Sequence, residues 1–148
     1  MGQLYIPFDD FVIVKDGDLL ASEIANRHYS RIWRGNITQP RFMPPGKRLI
    51  LMEPTGKWLF AWSFQLYRKD EQTGAQCTIF RNESNILSSK IILKSEEIWE
   101  SKYGKTRKFT YVHPEKIKSV NPGYCFQCAG WKKAEVKSNR GLVLLVKD

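Results

Sequence analysis

The stretch from residue 48 to residue 104 constrains this chain more than any other. Residues 48–53, 58–67 and 76–81 are rich in β-branched and aromatic side chains and read as strands. Pro54, Thr55, Gly56 and Lys57 make a tight turn between the first two, and residues 68–74 make a polar hairpin loop. A polar turn over 82–87 leads into a helix running to about residue 103, which Ser88 or Ser89 can cap and Gly104 ends. Ile91, Ile92, Ser95, Ile98, Trp99 and Tyr103 form its inward stripe at helical spacing. Three consecutive antiparallel strands followed by an amphipathic helix demand a layered fold.

The flanks extend the pattern. Residues 11–14 read as a short strand turned by Lys15, Asp16 and Gly17, and Asp18 can cap a helix to about residue 26. Downstream, 108–112 reads as a strand stopped by Pro114, and 115–130 as helical or turning chain broken at Pro122 and Gly123. Strands over 132–137 and 142–146 close the chain, joined by residues 138–141. This predicts an α/β (mixed α+β) fold, one domain over 1–148, with a mixed, mostly antiparallel sheet and helices on both faces. Five Trp and eight Phe in a chain 42% hydrophobic supply one core and argue against disorder. No apolar run reaches the ~20 residues of a membrane span. Residues 1–10 carry acids and no basic n-region, so no signal peptide is expected and a cytoplasmic location follows.

Charge is the more informative signal. Lys and Arg number 24 against 15 Asp and Glu, a net of +9, and a basic domain of this size often meets polyanions. Between Glu23 and Glu53 there is no acid, while Arg27, Arg31, Arg34, Arg41, Lys47 and Arg48 fall there, interleaved with Tyr29, Trp33 and Phe42. Cations for phosphates beside rings that stack on bases make a nucleic-acid surface. The same residues also fit a solvated loop with anchoring aromatics.

Three further groups carry chemistry. Arg81, Asn82 and Glu83 directly follow a strand and precede a helix; together they can hold an anion, orient a base edge and accept a proton. An ordinary turn with Arg81 paired to Glu83 is the competing reading. His28 and His113 suit proton transfer or a structural role alike. Cys125 and Cys128 form a C-x-x-C without a second ligand pair, which reads as packed thiols rather than a metal or redox centre, so no metal is expected. Ser88 and Ser89 belong to no Ser-His-Asp arrangement.

The order of elements resembles that of GNAT acyltransferases over nearly the whole chain. Phe126, Gln127, Cys128, Ala129, Gly130 and Trp131 are similar to the aromatic-x-x-x-Gly-aromatic ending of the late GNAT helix, with Asn121 upstream. The resemblance implies a donor at the turn before the central helix, held by Ser88, Ser89 and Asn121. Two departures stand out. The usual Q/R-x-x-G-x-G/A turn is replaced by residues 80–89, which contain no glycine, so side chains obstruct the approach of coenzyme A and leave acetyl-coenzyme A a poor fit. Phe126 stands where the family often has a tyrosine that serves as general acid, with Tyr124, two residues earlier, the nearest substitute.

More narrowly, His28, Tyr29 and Ser30 after the first helix and the glycine-free turn resemble phage Mom-type DNA-modification proteins. That resemblance implies a phage or mobile-element transferase acting on adenine in DNA, with His28 and Tyr29 near the reacting centre. Two other readings stay open: a conventional acetyl-coenzyme A-dependent N-acetyltransferase on a small-molecule or protein amine, and a non-catalytic nucleic-acid-binding module. Neither the donor nor the oligomeric state follows from the sequence.

Overall fold

The structure, a computed structural model, describes residues 10–28, 41–114, 123–134 and 141–148. Among these, β1 (Val12–Val14), β2 (Lys47–Met52), β3 (Trp58–Phe64), β4 (Ala75–Asn82), β5 (Lys108–Val112), β6 (Lys132–Lys133) and β7 (Val143–Lys147) form one sheet in the order β1-β2-β3-β4-β5-β7-β6. Every neighbouring pair is antiparallel except β4 and β5, which run parallel. The helices are α1 (Leu19–Asn26), α2 (Ser88–Tyr103) and α3 (Tyr124–Cys128). This is the mixed α/β, mostly antiparallel architecture expected. No helix of the described residues is long and apolar enough to cross a membrane.

Two cores, one on each face of the sheet, follow from strand alternation. Leu49, Leu51, Trp58, Phe60 and Trp62 meet Ile91, Ile92 and Trp99 of α2 together with Phe126 and Trp131. On the opposite face Ile50, Met52, Leu59, Ala61 and Ile79 meet Ala21, Ile24 and Ala25 of α1. Trp62 is fully buried and stacks against Trp131 at 6.2 Å, with its indole N–H donating to the Ser95 carbonyl at 3.2 Å. A buried Trp that also satisfies its polar edge fixes where α2 lies along the sheet.

Local choices match the fold with a few differences. The Asp18 carboxylate accepts from the Ala21 amide at 3.0 Å and caps α1. Gly104 stops α2 with φ 85°, a conformation that favours glycine. Neither serine caps α2: Leu87 holds that position and makes no side-chain cap bond. β3 ends at Phe64 rather than at residue 67, because the apolar Leu66 and Tyr67 that prolong its pattern lie exposed in the following loop. The closing strand pair is present as β6 and β7, with residues 135–140 outside the described residues.

One irregularity sets the chemistry of β4. Trp62 pairs with Cys77 but Ala61 pairs with Ile79, so Thr78 is an extra, bulged residue. A bulge shifts the two-residue side-chain period by one. Cys77 therefore packs in the α2-side core and Ile79 in the α1-side core. Beyond the bulge Phe80 returns to the α2 face, where it meets Phe60 and Phe126. The alternation then sends Arg81 toward α1 and Asn82 toward α2.

Candidate functional site

The parallel pair β4 and β5 is joined over only two residue pairs, Ala75 with Lys108 and Gln76 with Phe109. At the next position the Thr110 hydroxyl, at 2.9 Å, takes the place of a backbone donor to the Cys77 carbonyl. β4 then continues to Asn82 and β5 to Val112 without pairing, so the strands part at their carboxyl ends. Ligands of open α/β sheets bind at this kind of divergence.

Beside it, three charged side chains converge. Glu83 Oε2 accepts from Arg27 Nε and from Arg81 Nε, each at 2.6 Å, and Glu83 Oε1 accepts from Arg27 Nη2 at 2.9 Å. The Arg27 fork, and after it burial opposed by Arg81, leaves the Glu83 carboxyl with a pKa of about 2. Glu83 is thus a fixed anion and a weak proton acceptor, suited to positioning two guanidinium groups. Arg27 is itself raised, first by its bond to Glu83. The Arg81–Glu83 pair of the competing, ordinary-turn reading is present, and Arg27 arrives from 56 residues away to join it.

His28 follows Arg27, with its amide donating to the Ala25 carbonyl at 2.9 Å. Burial, and secondarily the Arg81 charge, lowers its pKa from 6.5 to about 4. The imidazole is neutral at pH 7, and of the titrating groups here it is the better proton acceptor. Because the folded value lies below the unfolded one, the unfolded chain takes up the proton first as pH falls. Stability held above pH 6.5 is lost between pH 6.5 and 4, at most roughly 3 kcal/mol for a shift of this size. Thermal melts across that window should therefore fall less steeply for His28→Gln than for the unaltered chain.

Asn82 serves the turn. Its amide donates to the Ile86 carbonyl at 2.7 Å and to Ser88 Oγ at 3.0 Å, while its oxygen accepts from the Ser84 amide at 2.9 Å. These bonds shape a glycine-free turn whose end is α2. α2 starts with no side-chain cap and no acid in its first turn, and the Lys90 amide donates to the Leu87 carbonyl at 3.0 Å.

The other expected site residues scatter. Lys47 begins β2 at the opposite end of the sheet, in register with Phe64, whereas the site lies by Asn82, in register with Trp58. Arg41 lies exposed against Gly17, and Arg48 donates to the Pro44 carbonyl at 2.8 Å and stands 3.9 Å from Asp16. Tyr124 is 61% exposed on α3, and the neighbouring Cys128 thiol raises its pKa. Phe126 is core, as its lack of a hydroxyl allows. Tyr29, Arg31, Trp33, Arg34 and Asn121 lie outside the described residues. Cys77 is buried with its pKa pushed well up, Cys125 is raised by burial, and among the described residues no three potential metal ligands gather.

No family model, curated protein or solved structure matches this chain. What the site can do therefore rests on its own geometry: two guanidinium groups on one carboxylate, a neutral histidine and an uncapped helix start, all beside a parted strand pair.

Proposed function

We propose that this chain is a GNAT-like transferase that modifies a base in DNA, adenine being the base implied by its likeness to the Mom-type proteins. The observation that carries the reading is the parting of β4 and β5 directly beside the Arg27–Glu83–Arg81 cluster. In this reading the donor lies in the opening, its anionic part against the first amides of α2 and the hydroxyls of Ser88 and Ser89. Arg27 and Arg81 hold the phosphates that flank an extruded base, since a base inside the duplex cannot reach any such site. The exocyclic amine nitrogen bonds to the transferred group as that group's bond to the donor breaks, the rest of the donor leaving with the electron pair. His28 takes the proton the amine releases. The turn is held by Asn82 side-chain bonds and contains no glycine, which argues against the close backbone approach of coenzyme A and favours a different donor.

Mass spectrometry of nucleosides from DNA of cells making the protein is the test. A mass-shifted adenosine is expected. Unmodified nucleosides under good expression reject the reading in favour of a binding module. Micromolar binding of acetyl-coenzyme A by calorimetry supports the conventional acetyltransferase instead.

A further inference from the structure

Pairing of charges among the described residues is uneven. Arg27 and Arg81 share Glu83, Arg68 pairs with Asp70, Lys94 with Glu97, Arg107 with Asp148, Lys108 with Glu100 and Lys147 with Glu96. Lys47 and Lys102 are different. Both are exposed, and both lie over the Tyr103 ring, whereas Arg68 and Arg107, which lie over Phe109, also pair with carboxylates. The Lys47 ammonium lies 5.3 Å from the centroid of the Tyr103 ring and 5.5 Å from that of Phe64. The Lys102 ammonium lies 5.6 Å from the Tyr103 centroid. Two like charges converge on one ring, and Lys105 follows in the exposed turn after Gly104. Ring faces hold ammonium groups in place without neutralising them, so this surface keeps its positive field. An anion laid across it would relieve the repulsion between the two.

This surface lies at the far end of the sheet. The six residue steps of β3 between the register of Asn82 and that of Ala75 span about 20 Å. At about 3.4 Å per nucleotide that is the length of roughly six nucleotides of a DNA strand. Lys47 shares the α2 face of the sheet with Phe64 and Tyr103, whereas Arg81 faces α1. A nucleic acid that meets both ends therefore also crosses from one face to the other, and the two contacts lie more than about six nucleotides apart along it.

We infer that Lys47, Lys102 and Tyr103 form a second anchoring surface, at the sheet end opposite the reaction site, that grips the phosphate backbone of the same nucleic acid. The inference rests on the reading of this chain as acting on DNA. Phosphate contacts of this kind fix register on the duplex and carry no sequence preference.

Fluorescence anisotropy with a 20-base-pair duplex over a salt series tests it. Lys47→Gln with Lys102→Gln should weaken binding about tenfold or more and flatten the log–log salt slope by about 2, near 0.9 for each lost phosphate contact. Unaltered melting of this neutral pair of substitutions shows that the loss is not unfolding. Lys132→Gln with Lys133→Gln, on the exposed β6 strand and matched in charge change, should lose clearly less. Equal affinity and slope for the Lys47 and Lys102 pair, or an equal loss in the β6 control, overturns the anchoring surface while DNA binding itself stands. Displacement of the duplex by polyglutamate at matched charge also overturns it, pointing to an acidic protein. Failure of the unaltered chain to bind DNA at all overturns the underlying reading.

Discussion

Glu96→Ala is expected to lower the unfolding free energy by about 3 kcal/mol in urea titrations, the lower end of what breaking a buried ion pair costs. Glu96 is 8% exposed on α2. Its Oε1 stands 2.8 Å from the Lys147 ammonium on β7, and its Oε2 accepts from the Trp131 indole at 2.9 Å. Lys147 also donates to the Ala129 carbonyl at 2.8 Å. One carboxylate thus ties the central helix to the last strand and to the corner after α3. Removing it strands an indole N–H in the core and leaves a half-covered ammonium beside apolar groups. Lys147 is 28% exposed and recovers some water, which is why the lower end of the range applies. Glu96→Gln keeps an acceptor for Trp131 and should cost less than Glu96→Ala. A loss below about 1 kcal/mol for the alanine variant would show that this tie is peripheral.

If the chain modifies DNA as proposed, Glu83→Gln should separate binding from chemistry. With the carboxylate gone, Arg27 and Arg81 gain free charge, so duplex affinity should rise several-fold at low salt and the salt slope should steepen by about 1. Product formation should fall by about 100-fold, since loosened guanidinium groups misplace the substrate. A purely structural role for Glu83 predicts lower stability with no gain in affinity, and a direct proton-accepting role predicts loss of product with unchanged binding. Anisotropy and nucleoside mass spectrometry on the same preparation distinguish the three.

Much of the fold was legible because its signals are local. The β2-β3-β4 run, the stripe of α2, the Asp18 cap and the Gly104 stop each depend on residues within a few positions of one another, and all four are present. The nonlocal features were less legible. The Thr78 bulge leaves no composition signal, yet it turns Arg81 toward α1 and Asn82 toward α2. Glu96 sits at a stripe position between Ile92 and Trp99, but an acid there makes sense only once Trp131 and Lys147 are known to reach it. Arg27 looked like one cation of a continuous basic loop. Folding separates it from Lys47, which lies at the other end of the sheet, and joins it to Glu83. The pairing of Arg81 with Glu83 was readable from their two-residue spacing; the third member was not.

Hydrogen–deuterium exchange, with and without a saturating DNA duplex, tests most directly the proposal that this chain binds DNA at the parted ends of β4 and β5. Protection is expected at the carboxyl end of β4, through the turn over residues 82–87 and into the first turn of α2, together with the Arg27–His28 segment. Protection that spares all of these while DNA is bound would contradict a reaction site at the parted ends of β4 and β5.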